Sequence, residues 1–73
     1  MKTIKIETLM NEYNLERPSD YYAMIIMSWE DGWEEQAVEQ FNIMQKPNKE
    51  IFLTNYYDNN VRLFRRLISE VVK

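Results

Sequence analysis

The stretch NVRLFRRLISEVVK, Asn60–Lys73, decides the fold. Wound at about 100° per residue, it separates into two halves with no exception. Val61, Leu63, Phe64, Leu67, Ile68, Val71 and Val72 fall on one half. Arg62, Arg65, Arg66, Ser69, Glu70 and Lys73 fall on the other. That period belongs to an amphipathic helix. Asn60 suits the N-cap, because its side chain can accept a free amide of the first turn. Lys73 suits the negative end of the macrodipole.

Working back from this helix, Trp33, Ala37, Phe41 and Met44 recur at four, four and three, with Val38 beside the stripe. They predict a second amphipathic helix, with Asp31 and Glu34 at capping-box spacing. A start at Ser28, running through Gly32, is the alternative, at a cost of about 1 kcal/mol for the glycine. Lys46-Pro47 is expected to end this helix, since the residue before a proline is pushed out of the α region. Ile6, Leu9, Met10 and Tyr13 form a third stripe. Asn14 fits the left-handed position after it, and Leu15 can then fold back on Met10. Pro18-Ser19-Asp20 reads as a turn and helix start, with Ser19 as cap. Tyr21–Trp29 has no polar face over two turns and is expected to be a central buried helix. Asn48–Tyr57 is assigned to a short helix capped by Asn48, followed by a turn at Asp58-Asn59-Asn60.

Residues 1–73 thus form a single all-α domain, a compact bundle of four to five short helices. The rival is an α+β fold with a short strand pair drawn from 2–6, 21–29 or 51–57, because brief apolar runs do not distinguish helix from strand. One glycine and two prolines in 73 residues disfavour a turn-rich β fold.

A chain of this length buries only about 60% of its unfolded surface. With no cysteine, disulfides cannot help. What remains is a dense core, a partner chain, or both. Hydrophobic residues make up 45%, with five Tyr, five Met, three Phe and two Trp.

Composition also narrows function. General acid–base chemistry most often uses His, and the chain has none. Ser19, Ser28 and Ser69 have no base at a spacing that suggests a dyad. The pairs Glu30/Glu34 and Glu35/Glu39 sit one helical turn apart, but a hard cation asks for about 6–8 oxygens from a shaped loop. A lone Gly32 does not make a phosphate-cradling loop. The chain is therefore read as non-enzymatic, with no metal and no cofactor.

The formal charge of −3 exerts no strong pull toward nucleic acid or anionic membrane. Its distribution is uneven: Glu30, Asp31, Glu34, Glu35 and Glu39 crowd the middle, while Arg62, Arg65, Arg66 and Lys73 crowd the C-terminus. The molecule is expected to be electrically polar along its length. Two minor readings follow. The basic C-terminal helix can track phosphates, with a faint helix-turn-helix pattern over Thr8–Ile26, as a nucleic-acid-binding regulator. Alternatively the acidic 30–39 segment acts as a weak DNA mimic. Net acidity and the absence of a broad basic footprint argue against nucleic acid as partner. No run approaches the roughly 20 apolar residues of a bilayer span. No export signal is visible, so membrane association is not expected and the default compartment is the cytoplasm.

The leading reading is protein recognition. Trp29 and Trp33 lie one turn apart, and Tyr21/Tyr22 and Tyr56/Tyr57 are adjacent pairs. Neighbours on a helix point about 100° apart, so a small body is not expected to bury both rings of a pair. Tyr, Trp and Arg are the residues enriched in binding hot spots. Trp29, Trp33, Tyr56 and Tyr57 are the candidate anchors, and Arg62, Arg65 and Arg66 the candidate steering charges. The plainer role for each aromatic is core, Trp33 above all, since it lies on the second helix's stripe. The expected function is a regulator, inhibitor or adaptor that occupies a partner protein's surface, with a homodimer as one way to bury surplus apolar area. In length and in its richness in Asn, Tyr and Ile, the chain resembles small phage or mobile-element accessory proteins.

Overall fold

Two left-handed residues set the path of the chain in the computed structural model, which describes residues 2–58 and 60–72. The first helix, α1 (Ile6–Glu12), ends at Asn14, whose φ is 56°. The amide of Leu15 returns to the Met10 carbonyl at 2.8 Å, and that of Asn14 to Asn11 at 3.3 Å. This is the expected Schellman closure. The second helix, α2 (Pro18–Glu30), closes the same way at Gly32, φ 92°. Trp33 N–H donates to the Ser28 carbonyl at 2.8 Å and Gly32 N–H to Trp29 at 3.1 Å. Glycine reaches this conformation without the Cβ penalty of other residues. No helix therefore runs through it.

Three more helices follow among the described residues: α3 (Glu34–Asn42), α4 (Lys46–Tyr56) and α5 (Val61–Val71). The bundle is all-α. Of the strand alternatives, 21–29 is helical, 51–57 is helical up to Tyr56, and 2–6 contributes one isolated parallel bridge, Ile4 to Met44. Ile4 N–H donates to the Ile43 carbonyl at 2.8 Å there.

Several local expectations need correction. Arg17, not Ser19, occupies the N-cap of α2. Pro18 takes the first helical position, where its missing N–H costs nothing. The Asp20 carboxylate accepts the Arg17 backbone N–H at 3.3 Å. Trp33 is the N-cap of α3, with no side-chain cap bond, so the Asp31/Glu34 box does not form. Pro47 does not end α3, which stops at Asn42. It lies in the first turn of α4. Asn48 is not the cap of α4 but lies inside it, and its amide donates to the Tyr22 hydroxyl at 3.1 Å. Asn60 caps α5 as expected, its side chain accepting the Leu63 amide at 3.1 Å. Asn59 of the preceding turn, and the placement of Lys73 at the dipole, lie outside the described residues.

The central helix is α2, which packs chiefly on α3 and then on α1, while α3 also carries α5. Tyr21, Tyr22, Ile25 and Trp29 of α2 are buried with Ile6, Leu9, Ala37, Val38, Phe41, Met44, Phe52, Leu63 and Leu67. Burial of α2 is one-sided even so. Met27 is 60% exposed and Ala23 faces solvent, because no element covers that flank.

Candidate interaction surface

The four aromatic candidates separate into two groups. Trp29 lies in the core, with the Arg62 guanidinium 5.9 Å from its ring. Tyr56 is half-buried, stacked on Phe52 at 5.4 Å and tilted against Tyr22 at 5.8 Å. Trp33 and Tyr57 are exposed, at 63% and 51%. Trp33 leaves the stripe it shares in sequence with Ala37 and Phe41 because the turn at Gly32 puts it ahead of the helix, at φ −89°, ψ 61°. The four candidate anchors are therefore not all on the surface.

Tyr21 and Tyr22 depart from expectation in the other direction: both are buried. Their 100° divergence is accommodated because α2 has neighbours on two sides. Tyr21 donates its hydroxyl to the Gln40 carbonyl at 2.8 Å, and Tyr22 meets Phe52 at 5.9 Å and accepts from Asn48. Gln40 is itself buried, and its side-chain oxygen takes the Ser28 hydroxyl at 3.0 Å. Each polar group entering the core thus finds a partner, as burial requires.

This network makes stability respond to alkali. Burial first, then Tyr13 and the Glu12 carboxylate, hold the Tyr21 hydroxyl well above its ordinary value of 10.0. The unfolded chain releases that proton first as pH rises. The stability from protonated Tyr21 is whole below pH 10 and diminishes above it. Between about pH 9 and about pH 11, the urea midpoint should fall further for wild type than for Tyr21→Phe. Equal falls would assign the alkaline sensitivity to other groups.

The arginines do not form a free basic face. Arg62 lies 3.8 Å from Glu34, and Arg66 lies 3.7 Å from Glu35 while also bonding Glu70. Asn42 donates to the same Glu70 carboxylate at 3.0 Å. These contacts form a polar seam between α3 and α5. The hydrogen bond that Arg66 donates to Glu70, and the charges of Glu70 and Glu35, hold the Arg66 guanidinium above its usual value against some desolvation. The Arg62–Glu34 and Arg66–Glu35 contacts are largely exposed and add little stability. Their larger consequence is neutralisation. Part of the acidic middle and part of the basic end, far apart in sequence, meet across one seam. Glu34 and Glu35, each half of a candidate cation pair, face arginines instead. Arg65 makes no ion pair among the described residues.

What the fold leaves uncovered is the outer half of α5. Leu63 and Leu67 point inward and are buried. Val61, Ile68, Val71 and Val72 are exposed, Val72 to 76%. On the helix wheel they share a sector about 100° wide with half-buried Phe64. The Tyr57 ring lies 5.7 Å from that of Phe64, extending the apolar strip onto the end of α4. Arg65 borders it. Sequence alone could have flagged this strip, because seven apolar residues on one helix half exceed what one packing contact covers. No known family model matches the chain, and no curated protein or solved structure is significantly similar to it. Among the described residues no helix is long and apolar enough to cross a membrane.

Proposed function

We propose that this chain is a small non-enzymatic protein-interaction module, a regulator, inhibitor or adaptor that covers part of a partner protein with the outer half of α5 and Tyr57. One observation carries the reading. The most cleanly amphipathic helix of the chain spends only Leu63 and Leu67 on its own core and leaves Val61, Ile68, Val71 and Val72 in water. Contiguous exposed apolar patches on small soluble domains mark interaction sites more often than scattered residues do. Tyr57 supplies the aromatic anchor, and Arg65 at the margin favours a carboxylate on the partner's rim, which would act on orientation and on-rate. Trp33 offers a second exposed anchor, while Trp29 and Tyr56 serve the core. The pairing of Arg62 and Arg66 with Glu34 and Glu35 favours this reading over the phosphate-tracking and DNA-mimic alternatives.

The double variant Val61→Glu/Val71→Lys tests it. Each new charge suits its end of the helix dipole, so the bundle should keep its fold. Affinity capture from the native host with wild-type bait should recover one dominant partner, and the variant should lose it at least about tenfold, the scale of a 1.4 kcal/mol deficit. Undiminished capture by a folded variant would remove α5 as the docking face. Sedimentation at micromolar concentration asks whether the partner is a second copy, since a strictly 9.0 kDa species rules the homodimer out.

A further inference from the structure

Away from the α5 strip, α1, α2 and α3 converge on a cleft of about 180 Å³. Tyr13, Tyr21, Gln36 and Gln40 line it, together with Glu12 of α1 and Glu39 of α3. Both charged groups are carboxylates, and neither makes an ion pair among the described residues. Lys2 borders the adjoining hollow with Glu39 but does not reach it as an ion pair. The Tyr13 and Tyr21 rings are 6.2 Å apart and tilted by 47°, so Tyr13, half in water, presents a flat aromatic surface beside the acids. The Tyr21 hydroxyl donates to the Gln40 carbonyl, and no described group donates to its own oxygen. The cleft is thus rich in free acceptors and negative charge, next to a π-face.

We propose that this cleft binds a guanidinium group, with Glu12 and Glu39 as counter-charges and the Tyr13 ring as its stacking face. A planar cation with five fixed donors suits a cleft lined by two carboxylates and an aromatic face. An ammonium is a compact, more strongly hydrated point charge that uses the ring less well. Size agrees: an engineered cavity of about 150 Å³ admits benzene, and a guanidinium with its adjoining methylenes is of that order. A hard metal ion fits poorly, since it asks for about 6–8 oxygens and two carboxylates flanked by aromatic rings supply too few. Glu12 also helps to raise the Tyr21 hydroxyl, so its negative charge is felt within the cleft.

The site does not depend on α5 having a partner, and its test uses small probes on the intact chain. Acetyl-arginine methylamide, titrated against ¹⁵N-labelled protein, should shift the amides of Tyr13, Gln36 and Gln40 saturably. Acetyl-citrulline methylamide, nearly isosteric and uncharged, should not. Glu12→Gln and Glu39→Gln, both at exposed positions, should each weaken binding roughly fivefold or more, and Glu7→Gln should leave it unchanged. Agmatine separates the two sources of the group. Tighter binding of the arginine derivative assigns the cleft to a polypeptide side chain, and tighter binding of agmatine assigns it to a free small guanidine. Equal shifts from citrulline, or loss of affinity in Glu7→Gln as large as in Glu39→Gln, would overturn the proposal.

Discussion

Phe41→Ala should bring the chain to the edge of unfolding. Phe41 has no exposed surface and sits in the last turn of α3, the helix that holds both α2 and α5. Its ring meets Phe52 edge-on at 5.9 Å, which fastens α4 to the same centre, and Lys49 lies 5.9 Å from its face. Removing a buried phenylalanine typically costs about 3–5 kcal/mol, the lost transfer energy plus the cavity left behind. A domain of this length holds about 4–11 kcal/mol in all, from the usual stability per residue. The variant should therefore show a urea midpoint reduced by about a quarter or more, or no folded baseline. A fall of a few tenths of a kcal/mol would mean that Phe41 is not the common contact of these helices.

The second large effect separates the buried and the exposed positions on the apolar half of α5. Leu67→Ala should cost about 2–5 kcal/mol, because Leu67 is fully buried and its loss opens a cavity under α5. Val61→Glu/Val71→Lys, on the same apolar half of the same helix, should change stability by no more than about 0.5 kcal/mol, the usual range for exposed positions. Urea denaturation of the two variants side by side makes the comparison. A comparable loss in both would show that the whole apolar half is engaged in folding, leaving nothing for a partner.

Residues whose role is set by local periodicity were legible in the sequence. The α5 wheel, its Asn60 cap and the Asn14 closure of α1 each depend on residues within one or two turns, and each stands in the structure as read. Other local readings failed at caps and turns, where Ser19, Asp31 and Asn48 do not N-cap their helices and Pro47 opens α4 instead of ending α3. Trp33 belongs by spacing to the stripe of Ala37 and Phe41, yet the Gly32 turn places it outside the helix and in solvent. Tyr21 and Tyr22 both enter the core because α3 and α4 supply Gln40 and Asn48 to their hydroxyls, partners 19 and 26 positions away. The arginines looked like a free basic face because Glu34 and Glu35 lie 28 and 31 positions before the residues they meet (62 − 34 and 66 − 35). The uncovered half of α5 was visible as a surplus of apolar residues, but which of them stay outside depends on the direction from which α3 packs.

Photo-crosslinking in the native host addresses the docking face most directly. Benzoylphenylalanine at Ile68, in the middle of the strip, should give one light-dependent adduct with a partner protein, while the same probe at exposed Asn55 on α4 should give none. An adduct from position 55 with none from position 68 would contradict the assignment of α5 as the surface this protein uses.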